Sequence, residues 1–113
     1  MDSLPFEQIF GDNFRIRIFS QNVDENELKW HQDEENRFII PLHDTDWKIQ
    51  LDNQLPISLI KNQVIEIPKY LWHRVIKGSN NLKIKIIFAN ENFNQKNIAR
   101  TRRNNNTSTI SLF

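Results

Sequence analysis

The sequence predicts an all-β fold, on three observations. Apolar and polar residues alternate with period two in separate stretches between Phe14 and Ala89. Clusters of Asp, Asn, Gly, Pro and Ser break those stretches at short intervals, spaced like the turns of a barrel or sandwich. No stretch before residue 89 keeps a helical apolar repeat over three turns.

In order along the chain, residues 14–19 (FRIRIF) set Phe14, Ile16 and Ile18 against Arg15 and Arg17, which predicts a strand with its apolar side on a core and its arginines in water. Residues 37–42 (RFIIPL) predict a second strand. In 47–52 (WKIQLD), Trp47, Ile49 and Leu51 alternate with Lys48, Gln50 and Asp52. Residues 64–68 (VIEIP) are a further short strand, ending at Pro68, and after a tight connection His73 starts the next. In 82–88 (LKIKIIF), Leu82, Ile84, Ile86 and Phe88 alternate with Lys83 and Lys85. The breaks are DTD, DNQLP, KNQ, PKY and KGSNN. Two glycines are few for so many turns, so Asn53, Asn62, Asn80 and Asn81 are expected to take the left-handed conformations that glycine usually supplies.

A length of 113 residues suits one domain. Residues 1–89 are expected to form it. Residues 90–113 read as an Asn-rich basic tail, docked or flexible, with Lys96, Arg100, Arg102 and Arg103 against Glu91 alone. Four cations with no neighbouring aromatic stack make nucleic-acid binding an unfavoured reading. A net charge of +1 argues for no charged partner in particular. The absence of cysteine excludes disulfides, thiolate metal sites and cysteine nucleophiles. No run approaches the roughly eighteen apolar residues that a membrane helix needs, and the start MDSLPFEQIF lacks the basic opening of a signal peptide, so a cytoplasmic location is expected.

The chemistry centres on LKWHQDEENRF, residues 28–38. If residues 29–33 are extended, His31 and Asp33 face the same way and reach one ion together. A second imidazole from another strand, His73, completes a set of two histidines and a carboxylate that leaves positions open for water or substrate. In the competing metal-free reading, His31 and His73 hydrogen-bond with Asp33 and Arg37. No catalytic residue is assigned, since serine elbows, phosphate loops and dinucleotide fingerprints are all missing. Glu34 and Glu35 read as a solvated rim, and His43 as a surface turn histidine.

His31-x-Asp33 with Arg37 and Asp44, followed by Asn62, Pro68, Tyr70, His73 and Lys77, resembles the paired motifs of the cupin superfamily over residues 14–89. His31, Pro68 and His73 match. Asp33 stands for the second histidine, Arg37 for the glutamate, Asn62 and Tyr70 for glycines, and Lys77 for an asparagine. The resemblance implies a double-stranded β-helix, or jelly-roll barrel. It also implies a divalent metal (Fe, Mn, Ni or Zn) on His31, Asp33 and His73, and oxygenase, isomerase or lyase chemistry on a small anionic molecule. Arg37 would bind the anion, with Trp47 and Trp72 as candidate pocket walls. His-x-Asp with a distant histidine is also similar to the 2-oxoglutarate-dependent iron oxygenases, with Lys83 as the candidate cosubstrate base. A homodimer is expected, because a small open barrel has strand edges to protect. The substituted motif keeps a non-enzymatic ligand binder or dimeric scaffold as the alternative.

Overall fold

The computed structural model describes residues 4–89. Eight strands follow in order: β1 (Glu7–Gly11), β2 (Phe14–Phe19), β3 (Asn36–Pro41), β4 (Lys48–Leu51), β5 (Ile57–Ser58), β6 (Ile65–Ile67), β7 (His73–Ile76) and β8 (Leu82–Ala89). A short 3-10 turn, Glu25–Glu27, lies between β2 and β3, capped by Asp24, whose carboxylate accepts from the Asn26 N–H at 2.9 Å. The strands form one sheet in the order β1-β2-β8-β3-β6 and a second in the order β5-β4-β7. Neighbouring strands in both sheets run antiparallel.

The register decides which side chains meet. In β8, Leu82, Ile84 and Ile86 are buried while Lys83 is exposed, as their alternation predicts. Opposite them Ile39 and Pro41 of β3 face Ile86 and Ile84, and Ile65 and Ile67 of β6 continue the same face. From the smaller sheet, Ile49 and Leu51 of β4 face Val75 and His73 of β7. The two inner faces, with Trp47, Leu59, Leu28 and Phe19, make one apolar core. Burying a side chain of this size contributes about 1.5–3 kcal/mol.

Strand β2 departs from expectation. Arg17 lies opposite Ile84, and Phe19 opposite Leu82, so the arginines share the inward face with Phe19. Ile16 and Ile18 lie on the outward face, half-buried, opposite Lys85 and Lys83. The alternation marks the strand correctly but assigns its faces the wrong way round. The isoleucines are served by the lysine stems and by Ile9 of β1, which pairs with Ile16.

Positive φ occurs at Asn53 and Asn62, as expected, and also at Asn13 and Tyr70. It does not occur at Asn80 or Asn81. Their side-chain oxygens instead accept from Thr45 and from the Gln21 N–H, tying the 77–81 turn to neighbouring loops. Asn62 and Tyr70 are two positions where the resembled motif carries glycine. Both have the left-handed backbone that explains it, with φ 67° and 65°. No helix among the described residues is long and apolar enough to cross a membrane. The expectations placed on 90–113 lie outside the described residues.

Candidate metal centre

Three residues reach one point from different parts of the chain. His73 opens β7 on the face it shares with Leu51, so its side chain turns inward and is 5% exposed. His31 forms an isolated antiparallel bridge with it: each backbone N–H donates to the other residue's carbonyl at 3.0 Å. Their rings therefore lie on the same side, with centroids 4.2 Å apart. Asp33, two residues on, points the same way. Its position is locked through the backbone, since the Tyr70 N–H donates to the Asp33 carbonyl at 2.7 Å and the Gln32 amide donates to the Tyr70 carbonyl at 2.8 Å. The left-handed Tyr70 lets the connection from β6 to β7 turn tightly enough to make that clamp. One candidate ligand atom from each of His31, Asp33 and His73 falls within 4.8 Å of the others.

The hydrogen bonds assign the imidazole nitrogens. Nδ1 of His31 lies 2.9 Å from the Lys29 carbonyl, and Nδ1 of His73 lies 2.8 Å from the Leu71 carbonyl. A carbonyl only accepts, so each Nδ1 carries a proton, and in the neutral imidazole each Nε2 keeps its lone pair. That is the orientation in which backbone carbonyls hold metal-binding histidines. Burial pushes His31 below its ordinary value of 6.5, against the stabilising pull of the Lys29 carbonyl, and so favours the neutral ligand form.

Asp33 makes the centre chemically incomplete. Its Oδ2 is buried with no hydrogen-bond donor, although His73 Nε2 stands 3.1 Å away. With the His73 proton committed to Leu71, that contact joins two acceptors. It becomes favourable only when a proton or a cation sits between them. Burial opposes ionisation of Asp33, but a hydrogen bond from His73 when a proton sits on its Nε2, and the Arg37 guanidinium, outweigh it and hold the carboxyl below its ordinary range. The donor set, two imidazole lone pairs and an ionised carboxylate, suits a divalent ion of the Fe, Mn, Ni or Zn type.

The three residues open onto a cavity of about 310 Å³, walled by Ile39, Ile49, Ile67, Val75, Ile84 and Ile86 and bordered by Arg17 and Arg37. Arg37 donates through Nε and Nη2 to Glu35 Oε1 at 2.9 and 2.6 Å, and Nη2 lies 3.5 Å from Asp33 Oδ1. Glu35 is thus a partner of Arg37 as well as part of the rim.

Trp47 and Trp72 lie away from the cavity. Trp47 is fully buried in the core beside Phe19, its indole N–H donating to the Asn80 carbonyl. Trp72 is 46% exposed, because adjacent strand residues face opposite ways and His73 takes the inward position. Lys83 is exposed on β8, which leaves the oxygenase-like cosubstrate base without a place in the cavity. His43 is half-buried and structural, its Nε2 accepting from the Lys83 N–H at 2.9 Å. The residue missed in the sequence is Arg17. The available signal was that the apolar Phe19 falls on the same strand face as Arg15 and Arg17.

No protein-family model and no curated protein matches the chain in sequence. Solved structures match in shape. An RmlC-like cupin family protein from Methanocaldococcus jannaschii, with a double-stranded β-helix fold, is 11% identical with a TM-score of 0.60, over 74% of this chain and 77% of that one. The DMSP lyase DddQ from Ruegeria pomeroyi is 9% identical with a TM-score of 0.60, over 69% of this chain. HppE, solved with Fe(II) and substrate, is 10% identical with a TM-score of 0.56, over 79% of this chain. The match spans only 38% of the lyase and 55% of HppE. Likeness at such identities speaks for the fold. On strand order, inward register and these neighbours, the chain has the double-stranded β-helix fold of the cupin superfamily.

Proposed function

We propose that the protein binds one divalent metal ion through His31 Nε2, His73 Nε2 and the Asp33 carboxylate, and acts on a small anionic metabolite in the adjoining cavity. The observation that carries this reading is the buried, donorless Asp33 oxygen 3.1 Å from an imidazole nitrogen whose proton is elsewhere. A cation answers that arrangement at one stroke. So held, it would supply Lewis-acid polarisation of a substrate oxygen, the chemistry that oxygenases, isomerases and lyases can each use. The rest falls to the chain: apolar walls exclude water, and Arg37 sits where it can orient an anionic group. A DMSP lyase and an Fe(II)-bound enzyme among the structural neighbours support a metal-dependent reaction without choosing one. We also propose a homodimer.

Metal analysis of the purified protein, with Asp33→Asn and His73→Ala alongside, tests the centre. The expected result is about one divalent ion per chain in the wild type and loss of it in both variants. A wild-type protein that contains no metal and takes none up from Fe(II), Mn(II), Ni(II) or Zn(II) would overturn it. The alternative would then stand: a metal-free binder or scaffold in which a proton joins His73 to Asp33, as the substituted Glu position, Arg37, would favour.

A further inference from the structure

Three guanidinium groups line one hollow beside the cavity, and two of them line the cavity as well. Arg15 and Arg17 come from β2 and Arg37 from β3, with β8 between the two strands. Each is held against an aromatic ring. Arg17 lies 4.1 Å over Phe6, Arg15 lies 4.4 Å over Phe10 and 4.7 Å over Phe88, and Arg37 lies 4.9 Å over the same Phe88 ring. Together with Gln8 and Glu35 they line an open hollow of about 440 Å³, and Arg17 and Arg37 line the inner cavity as well.

The charges in this cluster do not balance. Arg37 has Glu35, and its 3.5 Å approach to Asp33 is to a residue of the metal centre. Among the described residues, Arg15 and Arg17 make no ion pair. Arg15 donates to its neighbour's carbonyl at 3.0 Å, and Arg17 donates to the neutral Gln8 amide oxygen at 2.6 Å. A half-buried cation with no carboxylate in direct contact, beside two more cations, is costly, and Asp33 and Glu35 only partly offset it. Burial and then the nearby Arg37 pull Arg17 down from 12.5 to about 10. A chain folding only for stability has no use for such an arrangement. Once Asp33 is committed to a metal ion, Glu35 alone stands against three guanidiniums and leaves an excess of two positive charges, and guanidinium forks match planar or tetrahedral oxyanions.

We propose that Arg15, Arg17 and Arg37 form an anchoring subsite for a dianionic oxyanion, the phosphate end of a small phosphate monoester whose other end enters the cavity toward His31, Asp33 and His73. The proposal names the substrate class of the reading above and rests on it for the reacting end. The anchor itself depends only on the arginines. A phosphate held there is met by positive groups from both strands, and Arg17 and Arg37 border the hollow and the inner cavity alike. Gln8 is free to follow, because its amide oxygen already marks where an acceptor sits on Arg17.

Calorimetric titration of the full chain with inorganic phosphate, malonate and sulfate, in metal-stripped and metal-loaded forms, tests it. Phosphate is expected to bind both forms, more tightly than malonate, and to weaken by about tenfold or more in Arg17→Gln, as loss of a charge-assisted hydrogen bond implies. Arg15→Gln, on the outer side of the hollow, should weaken it in the same direction, and both variants should retain the wild-type metal content. His73→Ala should lose metal yet bind phosphate, which separates failure of the metal centre from failure of the anchor. Absence of phosphate binding in the wild type, or equal affinity in folded Arg17→Gln and Arg15→Gln, would overturn the subsite. Tighter binding of malonate would overturn the phosphate assignment in favour of a dicarboxylate.

Discussion

Asp33 answers to three neighbours at once: Arg37 on one oxygen, His73 on the other, and the Tyr70 N–H on its backbone carbonyl. It stands at the second histidine position of the motif it resembles, and the swap turns a neutral ligand into an anionic one. In protein stripped of metal, that anion faces an acceptor. The side-chain amide of an asparagine in its place would donate to His73 Nε2 and remove the conflict, at the loss of a loose contact with Arg37. Asp33→Asn is therefore expected to abolish stabilisation by added metal while changing the stability of the metal-free protein by less than about 1 kcal/mol, because the depressed Asp33 carboxyl shows that its neighbours already offset the conflict. Chemical denaturation with and without a chelator measures both. Destabilisation of the stripped variant beyond that would mean that a proton already joins Asp33 to His73.

Among the strands, β2 separates what the sequence discloses from what it hides. Period two is a property of the backbone, so FRIRIF reads as a strand whichever way it faces. The direction depends on the partner, and the partner is β8, far along the chain. Only the pairing of Arg17 with Ile84 turns the arginines inward. The meeting of His31, Asp33 and His73 was legible because the relevant spacing is local in one half, His31-x-Asp33, and is carried in the other by Pro68 and a left-handed Tyr70 that place His73 at the start of β7. The arginine cluster was not, because three residues of two strands meet across a third. Strand β1 also escaped notice: Ile9 and Phe10 are adjacent in EQIFG, so the strand lacks a clean alternation. If Arg17 is kept for a ligand, replacing it should relieve the fold. Arg17→Met, which keeps an apolar stem beside Phe6 and removes the charge, is expected to raise unfolding stability by about 1 kcal/mol and to weaken phosphate binding by about tenfold or more. A loss of stability instead would show that the guanidinium supports the sheet.

Across the protein as a unit, exposed apolar side chains occur in several places, Leu55 and Ile60 among them, but one group lies along a sheet edge. β1 is an edge strand of the larger sheet, and it carries neither proline nor lysine to discourage pairing. Ile9 is 57% exposed and Phe10 68%, while Ile16 and Ile18 of β2 continue the outer face only half-covered. Phe10 is already engaged by Arg15, which leaves Ile9 and the outer isoleucines as the uncovered apolar surface beside β1. A two-fold axis beside β1 would extend the sheet across two chains and cover that surface with its own copy, a self-complementary contact of the commonest kind. The arginine hollow opens next to the same strand, through Gln8 and Phe10, so a dimer built here would also narrow access to the anion subsite. Light scattering after size exclusion should give about twice the 13.6 kDa chain mass for the wild type and the single-chain mass for Ile9→Lys. Because Ile9 is exposed, the lysine should leave the fold of each chain intact. A wild-type protein that remains monomeric at ~0.1 mM, a concentration at which a specific interface with micromolar affinity is saturated, would remove β1 as the contact and the homodimer with it.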